Sequence, residues 1–244
     1  YRITPATLAN SGVNFANVDP RNFQVFGRGQ ELPIFVKGEN DLDGVFNGSD
    51  FIEFYTQRND GWLDTLIYDS PSHHTNPYYS LFTDTAFYFL TWNTSFTNLR
   101  MAVSVSDTDT STYIPEPFFL QDRVEYFSSK YYQGETDAAK VTDPEYTDGE
   151  GWMSSSFGAG SSKTIALKTT NIYTNGPAAE LKTTVSAWTK DFAVLENNHT
   201  KVSLDATLLF DSSYNGYKTF HHQFLLPTGV LNSTTSNLKI ESID

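Results

Sequence analysis

Short apolar runs, separated by clusters of Gly, Asn, Asp and Pro, recur along the whole chain. Between Asp19 and Asp69 four aromatic and β-branched runs alternate with such clusters, the pattern of strands joined by tight turns. Phe23 to Phe26 is the first predicted strand, Gly27-Arg28-Gly29 the break after it, and Leu32 to Val36 the second. Phe51 to Tyr55 and Trp62 to Tyr68 read as a further pair around Asn59-Asp60-Gly61, because Asp-Gly accepts the positive φ angles of a hairpin turn. Ala86 to Leu90 is an unbroken apolar run, as expected of a strand buried on both faces. Leu99, Met101, Val103 and Val105 alternate with polar residues, the mark of a half-buried strand.

Helical signals are few. Thr4-Pro5-Ala6 supplies a cap residue and a proline at the first helical position, predicting a short helix over residues 5–10. Ser70 to Phe82 is predicted as a loop or short helix whose aromatics cover one end of a sheet. In the second half, an apolar run from Phe118 to Tyr126 precedes a polar, acidic excursion from Gly134 to Gly151. Strands are predicted at Lys163 to Lys168, Lys182 to Trp188, Lys201 to Phe210, Thr219 to Leu226 and Leu238 to Ile243. The alternation is cleanest from Lys201 to Phe210, with Val202, Leu204, Ala206, Leu208 and Phe210 on one face. Strands at this spacing without an amphipathic helix predict an all-β fold of antiparallel β-sandwich domains with a few short helices.

Ser106 to Thr112 is small and polar, with Pro115 and Pro117 just beyond it. It is the candidate boundary between an amino-terminal β domain, residues 1–112, and a second, jelly-roll-like sandwich, residues 113–244. A long hairpin loop within a single domain is the alternative.

Composition narrows the chemistry. The net charge of −13 over 244 residues repels phosphate backbones, so nucleic acid is excluded as an expected partner. The same acidity serves solubility, or local binding of a hard cation. The absence of cysteine excludes disulfides, thiolate zinc sites and a cysteine nucleophile within this chain. No apolar run is long enough for a membrane-spanning helix. The opening at Tyr1, with neither Met nor a leader, reads as a mature or excised segment.

The sharpest local motif is Glu39-Asn40-Asp41-Leu42-Asp43-Gly44 through Asp50. Glu39, Asp41, Asp43 and Asp50 fall at the spacing of an oxygen-ligand calcium loop, with Gly44 at the bend. Asp50 stands where an EF-hand carries Glu, and both flanks read as strands, so the candidate is a strand-flanked calcium turn. The same residues suit a solvated hairpin turn. Phe157 to Thr164 imitates a phosphate loop, but Phe157 and Ser162 occupy its two glycine positions. The histidines His73, His74, His199, His221 and His222 include adjacent pairs that point to opposite faces of a strand. No metalloprotease or serine-hydrolase motif accompanies them. Trp62, Trp92, Trp152 and Trp188 are candidates for stacking on sugar rings or for core packing.

The first ~100 residues resemble the region preceding the catalytic domain of gingipain-type cysteine peptidases, a group that includes the sortase-like surface peptidase of type IX secretion. The resemblance rests on Tyr1-Arg2-Ile3-Thr4, Asp19-Pro20-Arg21-Asn22, Gly38-Glu39, Asp43-Gly44-Val45-Phe46, Asp50-Phe51-Ile52-Glu53-Phe54-Tyr55 and Asp60-Gly61-Trp62. It continues through Asn76-Pro77-Tyr78-Tyr79-Ser80-Leu81-Phe82 and Tyr88-Phe89-Leu90-Thr91-Trp92. Gly149-Glu150-Gly151-Trp152 and Asn198-His199 extend it more thinly, and Leu42 departs from it. In that family the catalytic Cys and His lie in a later domain, so no activity transfers to a residue of this chain. The resemblance implies a non-catalytic scaffold of a longer exported protein, secreted, at the cell surface or periplasmic. Its partners would be a downstream peptidase domain of the same polypeptide and other surface or secretion proteins. A carbohydrate-binding module is the rival expectation, and a hydrolase assembled from distant residues a third.

Overall fold

A computed structural model describes every residue except 16, 42, 95–96, 103–112, 228, 233 and 244. The chain forms two compact units. The first comprises Tyr1–Arg58 and Thr85–Tyr113; the second comprises Asn59–Asp84 and Ile114–Asp244. Residues 59–84, inside the expected amino-terminal domain, thus belong to the second unit. The expected boundary at 106–112 lies outside the described residues.

The first unit opens with strand β1 (Arg2–Ile3) and helix α1 (Pro5–Asn10). Thr4 caps α1 by accepting from the Thr7 backbone, while Pro5 supplies a helical φ where no donor is needed. Five strands follow: β2 (Phe23–Gly27), β3 (Gln30–Leu32), β4 (Phe35–Lys37), β5 (Phe51–Glu53) and β6 (Tyr88–Trp92). They make two three-stranded antiparallel sheets, ordered β1-β5-β4 and β3-β2-β6. Phe23 and Val25 of one sheet and Val36 and Ile52 of the other meet in one core with Ile34, Phe46 and Phe54. Burying an aromatic ring as completely as Phe23 or Phe46 contributes about 1.5–3 kcal/mol.

Three expectations for this unit are corrected. Leu32 to Val36 is not one strand: the run breaks between β3 and β4 at Pro33, which has no backbone N–H for a ladder. The run ending in β6 is not buried on both faces, since β6 is an edge strand and Phe87 and Phe89 are exposed. Leu99 and Met101 lie outside any strand, with Arg100 bridging to Ile34, and Val103 and Val105 fall outside the described residues.

In the second unit, β7 (Lys130–Gln133) pairs with β8 (Glu150–Met153) as an isolated two-stranded ribbon. The remaining strands are β9 (Ser161–Lys168), β10 (Ala179–Ala187), β11 (Asn198–Leu204), β12 (Thr207–Tyr214), β13 (Lys218–Leu226) and β14 (Thr235–Ser242). They form a four-stranded sheet ordered β12-β11-β14-β9 and a two-stranded sheet β10-β13. Val202, Leu204, Leu238 and Ile240 of the larger sheet pack with Leu226 of the smaller one, flanked by Leu181, Val185 and Phe224. The result is an antiparallel sandwich, as the alternation predicts.

The strand predicted from Lys201 to Phe210 is instead a hairpin, β11 turning into β12 at Asp205-Ala206. Asp205 adopts φ 49°, and its carboxylate accepts from the Asn237 backbone and the Asn232 amide, which fixes the turn. The pair predicted across Asn59-Asp60-Gly61 also fails. Asn59 and Asp60 accept from the backbones of Gly61 and Trp62, and a 3-10 turn over Asp64–Ile67 replaces the strand.

Candidate functional site

The densest group of interacting polar side chains lies in the second unit, where the strap Asn59–Asp84 runs along β8. The strap closes on itself: Asn59 donates from its backbone to Asp84 and from its amide to the Thr83 carbonyl. A second 3-10 turn, Pro71–His73, gives it a corner. Buried Asp64 accepts from the Leu81 backbone at 2.7 Å, tying the two arms together.

The strap meets the ribbon mainly through side chains. Tyr68 Oη and Thr75 Oγ1 both donate to the Glu150 carbonyl, at 3.0 and 2.8 Å. Asn76 Nδ2 bonds the Trp152 and Phe127 carbonyls, each at 3.0 Å. The carbonyls of Glu150 and Trp152 are two residues apart, hence on one edge of β8, so strap side chains satisfy an edge that a third strand would otherwise occupy. The Trp152 indole donates back to the Leu81 carbonyl, and Tyr79 packs edge-on against it. Gly151 makes this approach feasible: a Cβ there would lie 2.4 Å from Thr75 Oγ1.

Three histidines converge on the strap. His73 Nδ1 lies 2.6 Å from Asp69, and its Nε2 is 3.8 Å from Asp148. His221 of β13 donates to the Ser72 carbonyl at 2.9 Å. His74 is buried at 6% exposure, with Nδ1 2.7 Å from Thr65 Oγ1 and Nε2 without a hydrogen-bond partner. Desolvation holds its imidazole below the ordinary pKa, with Asp64 pulling the other way. Beneath them Tyr131 Oη donates to the buried Glu150 carboxyl at 2.5 Å. Burial raises the pKa of Glu150 despite that bond, and raises those of Tyr131 and Tyr68 as well.

Thr65 and His74 are a hydroxyl and an imidazole in contact, the beginning of a nucleophile and base. The arrangement stops there, because no carboxylate orients the other ring nitrogen. The remaining histidines are structural. His199 and Lys201 pair with Asp211 and hold its carboxyl below the usual range, the His199 hydrogen bond being the larger cause. His222 stacks between Phe220 and Phe224 and touches Phe210, in the sandwich.

In the acidic loop of the first unit, Glu39, Asp43 and Asp50 each have partners within the protein. Asp50 is buried beneath Gly38 and accepts from the Asn47 backbone. Gly38, at φ 102°, leaves the space that Asp50 fills. Glu39 is held by Arg100 at 2.7 Å, and Asp43 accepts from the Val45 backbone and the Asn47 amide. Glu39, Asp41 and Asp43 line an open groove of about 530 Å³ with Arg21. Among the described residues, no three His, Asp or Glu side chains gather as a group able to hold a metal ion.

Of the four tryptophans, Trp152 is enclosed by Tyr79 and Tyr131, while Trp62, Trp92 and Trp188 are each more than 40% exposed, Trp92 edge-on against Phe23 and Trp188 beside Tyr132. Sequence reasoning singled out the histidines and Trp152, met Asn76 and Glu150 only within the stretches that carry the resemblance, and missed Thr65, Asp69, Tyr131 and Asp148. Comparison with protein-family models, with curated proteins and with solved structures finds no match for this chain.

Proposed function

We propose that this chain is a non-catalytic accessory β region of a longer, exported cysteine-peptidase-like protein, acting at the cell surface or in the periplasm by packing against or positioning the peptidase domain. One observation carries the reading. The segment from Ile114 to Val124 in the second unit has no regular structure, yet leaves Ile114 94%, Phe119 83% and Leu120 79% exposed. Apolar surface of this kind gains about 25 cal/mol per Å² when covered, which favours a packing partner. The resemblance to the gingipain-type region names that partner as a peptidase domain of the same polypeptide. The absence of cysteine is compatible with a nucleophile carried by that domain.

The test begins with the reading frame that encodes this chain, in which a Cys- and His-bearing peptidase domain is expected. Hydroxyl-radical footprinting with that domain present should protect Phe119, Leu120 and Val124. A reading frame without such a domain, unchanged labelling, or peptide hydrolysis by this chain alone would refute the proposal.

The exposed Trp62 and Trp188 favour a second reading, a carbohydrate-binding module. A glycan array decides it: binding lost in Trp62→Ala or Trp188→Ala supports it, and no binding removes it.

A further inference from the structure

We infer that Asn59–Asp84 is an acid-released latch, in which protonation of His74 drives the strap off the β7–β8 ribbon. The argument begins with geometry. His74 is more than nine-tenths buried and sits where the strap meets the ribbon, its ring 5.2 Å from that of Tyr68. One ring nitrogen faces Thr65 and the other has no hydrogen-bond partner, although the Asn76 backbone acts on the ring in favour of its charged form. A neutral imidazole tolerates this, because one of its nitrogens carries no proton. An imidazolium must place a second N–H, and a charge, in a buried site that gives it no full hydrogen bond.

The surrounding groups decide the sign. On the strap, Asp64 attracts a positive His74, but its carboxylate is bound to the Leu81 backbone and does not reach the free nitrogen. From β13, His221 opposes a second positive charge. From the ribbon and its loop come Tyr131, Tyr146, Asp148 and Glu150. Glu150 is occupied by Tyr131 and held toward its neutral form by burial. The ion pairs open to a protonated His73, with Asp69 and Asp148, lie at a partly exposed site and are weak. Desolvation therefore prevails, and the folded state lowers the proton affinity of His74 below the ordinary value of 6.5. A lowered imidazole pKa means that the contribution of neutral His74 to strap docking is full above that value and is lost as pH falls through the folded one.

Release is local because the strap closes on itself at Asn59 and Asp84. It leaves as a loop, uncovering the β8 carbonyls of Glu150 and Trp152 for another strand or peptide.

The experiment is hydrogen exchange on the intact chain, resolved by peptide and corrected for intrinsic rates, at about pH 7.5 and about pH 5. The expected result is that strap protection falls at least about tenfold at the lower pH while β11 and β14 keep theirs. His74→Gln, which keeps a polar contact for Thr65, and His74→Phe, which keeps the ring, should each retain strap protection at the lower pH. Equal strap protection in the wild-type chain at both values overturns the proposal, as does a wild-type loss that persists in a folded variant. The outcome is independent of whether a peptidase domain is the partner.

Discussion

Replacing Asn76 with alanine should loosen the strap from the β7–β8 ribbon. The side chain is buried at 8% exposure and makes three hydrogen bonds. Nδ2 donates to the carbonyls of Phe127 and Trp152, both at 3.0 Å, and Oδ1 accepts from the Tyr78 backbone at 3.2 Å. Truncation leaves two carbonyls and one N–H without these partners. A buried group so orphaned costs about 1–3 kcal/mol, and carbonyls, having two lone pairs, fall at the low end, so the sum is about 3–5 kcal/mol. Asn76→Asp should cost more, although it keeps the shape and the Tyr78 bond, because it turns a carboxylate toward two carbonyls. Native-state hydrogen exchange under mild urea measures both effects region by region. Protection should fall in residues 59–84 by that free energy, while β2 and β5 of the first unit are unchanged. A cost below about 0.5 kcal/mol would refute the reasoning, since surface substitutions without a structural role fall in that range. So would an Asp variant more stable than the Ala variant.

Substitutions at three other positions probe the same unit. Gly151→Ala places a methyl 2.4 Å from Thr75 Oγ1 at a residue with φ 126°, and should lower the melting temperature of the second unit by more than Asn76→Ala does. Glu150→Gln tests a charge: a carboxyl whose folded pKa is raised contributes stability that is full below the ordinary 4.5 and lost as pH rises through the folded value. The difference between wild-type and Gln stability, followed by chemical denaturation against pH, should therefore move in favour of Gln as pH rises, and parallel curves would contradict it. Asp205→Ala removes the turn bonds to Asn237 and Asn232, at 2.9 and 2.8 Å, and should cost about 1–2 kcal/mol by urea unfolding. Asp205→Gly should recover part of that loss, because the position has φ 49°.

The strands were legible wherever a residue's neighbours along the chain decide its face. In β14, Ser236, Leu238 and Ile240 are buried in alternation, and in β2 Phe23 and Val25 are. The misreadings arise where a local side chain captures the backbone first. The Trp62 to Tyr68 run has strand composition, but Asn59, Asp60 and the Asp64-to-Gly61 backbone bond commit it to a helical turn before any partner strand can pair. The Lys201 to Phe210 alternation conceals a hairpin for a different reason. Phe210 returns opposite Val202 only because the register shifts and Leu209 is an extra residue on β12, leaving Leu208 58% exposed. A bulge restores to the core a side chain that the turn had put out of phase, so the sequence pattern resembles one continuous strand.

The candidate site was nearly illegible for a reason that also bears on the acidic loop. Tyr68 and Thr75 reach the Glu150 carbonyl across 82 and 75 positions of sequence, and every backbone carbonyl offers the same acceptor. Residue type therefore announces that Asn76 can donate, but not that its targets are Phe127 and Trp152. At Glu39 to Asp50 the sequence conveys type and spacing, and both suit calcium as well as a turn. Orientation separates the two. Gly38 leaves room for Asp50 to turn inward beneath the chain, and Arg100, sixty-one residues away, draws Glu39 aside. An Asp-, Asn- and Gly-rich loop becomes a chelate only if its carboxylates converge, and spacing along the chain does not report convergence. Here Glu39 meets Arg100 and Asp50 accepts from the Asn47 backbone, partners that residue type and spacing do not announce.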